Sequence, residues 1–274
     1  MLSIERREAL KQLMLGEKTV TVAAAAQRFG VSTETIRRDF EALNAEGFLI
    51  KTYGGASLAC RSYDATPQSI KSHLFVKNKQ RMASRAAREV KPGDCIFLDH
   101  STTVAAMCAE IKNLPITVMT NSLLVIEQLA DIPTIKLVVT GGYLDCPSQG
   151  LLGLEAVRFI QKHSVDRAFL SCQAVDTLKG LCDGSEAMAD LRLHIVENAN
   201  AAYLLADHTK FGRTAFTHIC GFSRIHTVIT DMVMDPTWRT LLYENQVHLI
   251  ECPEEDADPL NTPSAAAFSG RGKK

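Results

Sequence analysis

From residue 95 to residue 250 the chain alternates short apolar runs with amphipathic stretches, and this alternation restricts the fold more than any other feature. The apolar runs span 95–98, 116–119, 135–139, 167–170, 202–205, 227–229 and 247–250. Each has the length of a strand and is too short for a buried helix. The stretches 104–111, 123–130, 154–162, 187–199 and 238–245 carry helical spacing instead. Strand and helix in turn predict βα units around a largely parallel, Rossmann-like sheet, an α/β fold.

Polar residues follow these runs: Asp99, Thr120, Thr140, Ser171, Asp207 and Asp231. In a parallel sheet the carboxyl ends of the strands share one edge, and open α/β sheets bind ligands there. The spacing therefore predicts one polar rim. Ser101, Thr102 and Thr103 lead from the first run into a helix, and Asn121 and Ser122 do the same after the second. Each set could be plain helix capping. Their coincidence with strand ends favours a place where hydroxyls and backbone N–H groups meet an anion. Gly141 and Gly142 would let a ligand approach the backbone closely, and Lys210 brings a mobile cation near Asp207. Asp99, Thr120 and Asp207 complete a candidate site for a small phosphorylated, hydroxyl-rich molecule. His100 reads as an ordinary polar loop residue.

The first 56 residues follow a different pattern. A Thr21 cap opens a short helix with Val22, Ala25, Ala26 and Phe29 on one face, and Gly30 supplies a turn. Ser32 then caps a second helix, on which Ile36, Phe40 and Leu43 form one apolar stripe. A helix over 4–15, with Leu10, Leu13 and Met14 inward and Gly16 at its end, would close a three-helix core. The β-type run from Phe48 to Gly55 reads as a wing. Two short helices joined by a turn and followed by a wing is the winged helix-turn-helix pattern of DNA readers. Ser32, Thr33, Thr35, Arg37 and Arg38 are its candidate recognition residues, and Lys51 and Tyr53 are placed to meet phosphates. Alone, Arg37 and Arg38 could simply pair with Glu41 and Glu34 on a solvated helix face.

At 274 residues, two domains are expected. The boundaries predicted are a winged helix at 1–56, a linker at 57–77, an α/β domain at 78–252 and a disordered tail at 253–274. A helix over 79–90 opens the second domain. The net charge of −1 gives no chain-wide basic field. Residues 1–56 hold eight Lys or Arg against seven acids, so nucleic-acid affinity would depend on where those charges point. The eight cysteines are scattered, with no C-x-x-C pair and no zinc spacing, and read as small buried residues of a reduced cytoplasmic protein. No metal or cofactor is expected. No apolar run reaches membrane-spanning length, so no membrane association is expected.

Several separated blocks carry a family likeness. Val31-Ser32-Thr33-Glu34-Thr35-Ile36-Arg37-Arg38-Asp39, then Leu43, Gly47 and Tyr53-Gly54-Gly55-Ala56, stand in the order and spacing of one winged-helix motif. Asp99-His100-Ser101-Thr102-Thr103, Thr120-Asn121-Ser122, Gly141-Gly142 and the stretch Ala206-Asp207-His208-Thr209-Lys210-Phe211-Gly212 match blocks of the accompanying sensor. The chain thus resembles the DeoR family of bacterial transcriptional regulators over nearly all of residues 1–251. The resemblance implies a repressor of a carbohydrate-utilisation operon that binds double-stranded operator DNA as a homo-oligomer, a dimer or tetramer. It also implies modulation by a phosphorylated sugar, held in a sensor similar in fold to ribose-5-phosphate isomerase and glucosamine-6-phosphate deaminase. Ser101 and Ala174 stand where the family often has Gly, and Arg192 where it often has Lys. The alternative is an isomerase- or deaminase-like enzyme fused to a DNA reader, with Asp207 or Glu186 as base. No pair of motifs sets an acid and a base beside the rim.

Overall fold

The helices Val22–Phe29 and Thr33–Ala45 of the N-terminal unit form because each carries an apolar stripe and a cap. In the computed structural model, which describes residues 2–17, 19–45, 48–58 and 68–254, the chain begins with α1 (Ser3–Glu17), β1 (Thr19–Thr21), α2 (Val22–Phe29) and α3 (Thr33–Ala45). The Thr21 hydroxyl accepts from the Ala24 N–H (3.1 Å), and Gly30 closes α2 at φ +63°, a left-handed cap that glycine adopts without strain. α1 runs through Gly16 rather than stopping at it. The wing is β2 (Leu49–Thr52) paired antiparallel with β3 (Gly55–Leu58), turning at Tyr53-Gly54, and β1 adds a third strand on β3. Leu10, Met14, Ile36, Phe40, Leu43 and Phe48 fill the core between them.

One buried ion pair ties this unit together. Arg6 of α1 donates to Asp39 of α3 through Nε (2.6 Å to Oδ2) and Nη2 (3.3 Å to Oδ1), with both residues more than nine-tenths buried. Asp39 therefore faces inward, beside the apolar stripe, while Arg37 and Arg38 face out.

The stretch expected as linker carries structure at both ends: β3 reaches Leu58, and α4 (Gln68–Lys71) precedes α5 (Val76–Ala87). α5 starts three residues earlier than its periodicity predicts. Beyond it lie β4 (Cys95–Leu98), α6 (Thr102–Ala105), α7 (Cys108–Ile111), β5 (Ile116–Thr120), α8 (Leu123–Leu129) and β6 (Ile135–Val139). The single helix expected over 104–111 is thus two short ones, broken at Ala106-Met107. The chain continues through β7 (Tyr143–Asp145), β8 (Gly150–Leu152), α9 (Leu154–Gln161), β9 (Val165–Leu170), β10 (Ala174–Asp176) and β11 (Gly180–Asp183). It ends with α10 (Glu186–Glu197), β12 (Ala199–Leu205), β13 (Thr217–Cys220), β14 (Thr227–Thr230), α11 (Pro236–Glu244) and β15 (His248–Glu251).

All seven expected strands join one parallel sheet in the order β15-β14-β12-β9-β4-β5-β6. Side chains alternate across it: Ile96 and Leu98 pack with Met82, Val104 and Val125 on one face, while Phe97 packs with Ala156, Ile160 and Leu191 on the other. The hairpin β7-β8 and the antiparallel sheet β10-β11-β13 are additions that the sequence pattern does not announce. From β4 the chain first winds outward to β5 and β6, then crosses back to β9 and winds the other way. The winding reverses between β4 and β9, and such a switch point opens a crevice at the carboxyl ends of the strands.

Among the described cysteines, Cys108, Cys172, Cys182 and Cys220 are buried as expected, whereas Cys146 is exposed. Cys60 and the tail beyond Glu254 lie outside the described residues. No described helix is long and apolar enough to cross a membrane.

Candidate functional site

The outer face of α3 and the wing hold the candidate DNA contacts. The Ser32 hydroxyl accepts from the Thr35 N–H (3.2 Å) and lies 2.9 Å from the Thr35 hydroxyl, so this pair caps α3 and leaves Thr33 exposed in its first turn. Arg37 and Arg38 both approach Glu34, at 3.6 and 3.9 Å, rather than splitting between Glu34 and Glu41. These are exposed pairs of the kind worth ~0.2–1 kcal/mol, which a phosphate displaces readily. Glu41 instead takes Lys51 of β2 at 3.1 Å, tying wing to helix, and Tyr53 stands fully exposed at the hairpin tip.

A cavity of about 160 Å³ opens at the switch point. Asp99, immediately after β4, is fully buried beneath it and spans the reversal: Oδ1 accepts from the Ser101 N–H (2.8 Å) and Oδ2 from the Ser171 N–H beyond β9 (3.1 Å). Oδ2 also accepts from Arg192 Nε of α10 (3.1 Å), and Arg192 Nη1 donates to Asp183 at the end of β11. Arg192 Nη2 lies 3.4 Å from His100 Nε2. Burial, reinforced by the Arg192 charge, pushes the His100 imidazole down to about 4, so the ring is neutral at pH 7. Its Nδ1 faces the Asn121 amide at 3.0 Å.

The walls around this floor are polar and cationic. Ser101, Thr102 and Thr103 line one side, Ser171, Cys172 and Gln173 another, and Asp207 and Lys210 a third. Asp207 Oδ1 accepts from the Thr209 N–H (2.9 Å) and its hydroxyl. Gln68 and Lys71 of α4 and Lys79 of α5 close the remaining side. Burial pulls the Lys79 ammonium down to about 8, with Lys210 and Lys71 adding repulsion and Asp207 opposing it. The four cations Lys71, Lys79, Lys210 and Arg192 face three carboxylates, Asp99, Asp183 and Asp207, two of which are engaged by Arg192. Clustered cations of this kind suit an anion, and neighbouring hydroxyls and amides suit a hydroxylated one.

The sequence-predicted rim is thus divided. Ser101, Thr102, Thr103, Asp207 and Lys210 line the cavity, and Asp99 holds its floor. Thr120, Asn121 and Ser122 are fully buried in structural bonds: the Thr120 hydroxyl donates to the Leu98 carbonyl (2.6 Å), Asn121 donates to the Leu151 carbonyl (3.2 Å), and Ser122 caps α8 at the Val125 N–H (3.3 Å). Gly141 and Gly142 do not line the cavity. At Gly142, with φ +104°, a Cβ would sit 2.3 Å from the Leu152 carbonyl, so the close backbone approach there is to β8 rather than to a ligand. Lys210 is buried, not a mobile cation, and is joined by Lys71 and Lys79, which the sequence reading passed over. His100 is a buried wall residue, not a loop ornament; its position two residues past a strand end was the available signal. Glu186 is exposed and does not line the cavity.

Comparison with known proteins matches both halves. A model of the DeoR-like helix-turn-helix domain matches residues 6–61, and one of the DeoR C-terminal sensor domain matches residues 75–232. The chain is 32% identical over 253 residues to the helix-turn-helix-type transcriptional regulator YulB of Bacillus subtilis, covering 92% of this chain and 98% of that one. It is 26% identical over 249 residues to the glycerol-3-phosphate regulon repressor of Escherichia coli, covering 90% and 98%. Among solved structures, ribose 5-phosphate isomerase A of Methanocaldococcus jannaschii aligns with 48% of this chain and 53% of its own at 21% identity and a TM-score of 0.36. With a winged helix at one end, a switch-point cavity at the other and both family models spanning them, the chain belongs to the DeoR family of transcriptional regulators.

Proposed function

We propose that this regulator represses a carbohydrate-utilisation operon and that a phosphorylated sugar in the switch-point cavity modulates its grip on double-stranded operator DNA. The observation that carries the reading is the convergence of Lys71, Lys79 and Lys210 with Asp207 and the Ser101–Thr103 hydroxyls in one small cavity. The lysines and hydroxyls suit phosphate, and Asp207 and Gln173 suit sugar hydroxyls. The name of the E. coli relative, a repressor of a glycerol-3-phosphate regulon, supports an effector of that chemistry. In this reading the division is a winged helix at 1–56, a connector at 57–77, a sensor at 78–252 and a tail at 253–274. Thr120, Asn121, Ser122, Gly141 and Gly142 shape the rim from behind.

The DNA contacts in this reading are Ser32, Thr33, Thr35, Arg37, Arg38, Lys51 and Tyr53. The near-neutral charge of residues 1–56 makes a single copy a weak binder, so two copies on paired half-sites supply useful affinity and the protein acts as a homo-oligomer. A regulatory rather than catalytic role is supported by Glu186 lying on the surface and by Asp207 accepting from Thr209. The test is an affinity titration at fixed salt, using DNA that the full chain selects from a random pool. Arg37→Ala and Arg38→Ala each weaken binding, by about 1–3 kcal/mol where a bidentate guanine contact is lost and with a shallower salt slope where a phosphate contact is lost. Unchanged affinity and slope in both variants would remove α3 from the interface.

A further inference from the structure

Between Gln68 and Lys79 the chain touches the cavity, enters the core of the winged helix, and returns to the cavity. The Gln68 N–H donates to the Pro147 carbonyl (2.9 Å) and its side-chain amide to the His100 carbonyl, which pins the start of α4 to the cavity wall. Lys71 lines the cavity three residues later. Leu74 is fully buried among Leu10, Ile36 and Phe40, the core that backs the recognition helix α3. Phe75 packs against the same core and sets its ring edge-on to His208, 5.1 Å away. His208 is fixed by Asp231, which accepts from its N–H (2.6 Å) and lies 2.8 Å from its Nδ1, and Asp231 also accepts from Asn78 of α5 (2.5 Å). Lys79 then turns back into the cavity wall, where its Nζ donates to the Lys71 carbonyl, the same oxygen that accepts from the Leu74 N–H (3.2 Å).

Backbone strain marks the apex. Phe75 sits at φ +53°, a left-handed conformation that a bulky residue holds only when its surroundings impose it. The two ends of the segment carry Lys71 and Lys79, and the charge of Lys79 also acts on Glu8 of α1. A position held by its neighbours shifts when those neighbours are re-fixed.

We propose that residues 68–79 form a strap that couples occupancy of the cavity to the winged helix: an anion bridging Lys71 and Lys79 fixes the strap at both ends, and Leu74 at its apex carries the constraint into the core behind α3. The strap rests on the reading of the cavity as a phosphate site. It converts a local charge contact into a packing change beneath the DNA-facing helix, without any contact between ligand and winged helix.

Amide hydrogen exchange on the full chain, with inorganic phosphate and glycerol 3-phosphate as probes, tests the strap. Binding is read at residues 101–103 and 171–173, and coupling at Ile36, Phe40 and Leu43. In the native sequence the probes change exchange at both sets, by about fivefold or more at the second. Phe75→Gly and Phe75→Asn, both tolerant of positive φ, keep the cavity response and lose the one in α3. A far-ultraviolet spectrum like that of the native chain establishes that each variant is folded. A cavity response with no change in α3, or an α3 response that survives in both variants, overturns the strap while leaving the phosphate site standing. No response at residues 101–103 or 171–173 removes the phosphate site and the strap with it.

Discussion

Arg192→Met destabilises the sensor by about 3–5 kcal/mol, the cost of removing one partner from a buried ion-pair network. The substitution roughly preserves apolar volume, so the loss is electrostatic. Arg192 is fully enclosed, donates through Nε to Asp99 at 3.1 Å and through Nη1 to Asp183, and without it two buried carboxylates face each other across the cavity floor. Asp99 must still accept from the Ser101 and Ser171 N–H groups that hold the two sides of the switch point. In a domain this size, 1 kcal/mol moves Tm by roughly 2–4 °C, so thermal unfolding should fall by about 10 °C. Arg192→Lys keeps the charge but not the fork, and is expected to lose less. A Met variant within 1 kcal/mol of the native protein would show that the two carboxylates do not depend on Arg192, contrary to the geometry.

Asp39→Ala has an effect of similar size on a smaller unit. It leaves the Arg6 guanidinium buried between α1 and α3 with no carboxylate at 2.6 Å, again a loss of about 3–5 kcal/mol. The small winged-helix core has less to lose, so it should melt in a separate, earlier transition, with DNA binding lost alongside it. The double replacement Arg6→Met with Asp39→Leu should restore most of the stability, because an apolar pair of similar volume avoids burying either charge. Calorimetry of the three variants checks this. Equal melting of the native and Asp39→Ala chains would mean that the pair does not hold α1 on α3.

The sheet was legible because its strands are apolar runs bounded by polar residues, most deeply buried in β4, β5 and β14; all seven were found within a few residues. The strands β7, β8, β10, β11 and β13 were not, because three or four residues of mixed character carry no period. Sequence also located the polar edge of the sheet but not the place along it where a cavity opens. That place depends on strand order. Asp99 and Ser171 meet because β4 and β9 are neighbours, whereas Thr120 ends β5 and Gly141 lies just beyond β6, on the side away from the reversal. The cations Lys71 and Lys79 come from a stretch read partly as linker, and Arg192 from the middle of a helix, so no strand-end rule would find them. In the winged helix the caps at Thr21 and Ser32 and the Gly30 turn were readable residue by residue, since capping is local chemistry. The Arg6–Asp39 pair was not, because it joins residues 33 apart in the chain.

The central claim is that the switch-point cavity holds a phosphorylated sugar. Thermal unfolding of the full chain with a panel of phosphorylated sugars, each beside its unphosphorylated parent, tests it most directly. At a ligand concentration near 100 times Kd, binding stabilises the native state by about 2.7 kcal/mol. The account predicts that at least one phosphorylated sugar raises Tm, that its parent does not, and that Lys210→Ala and Lys79→Met abolish the rise. Stabilisation by the parent sugar to the same extent, or by no member of the panel, would contradict it.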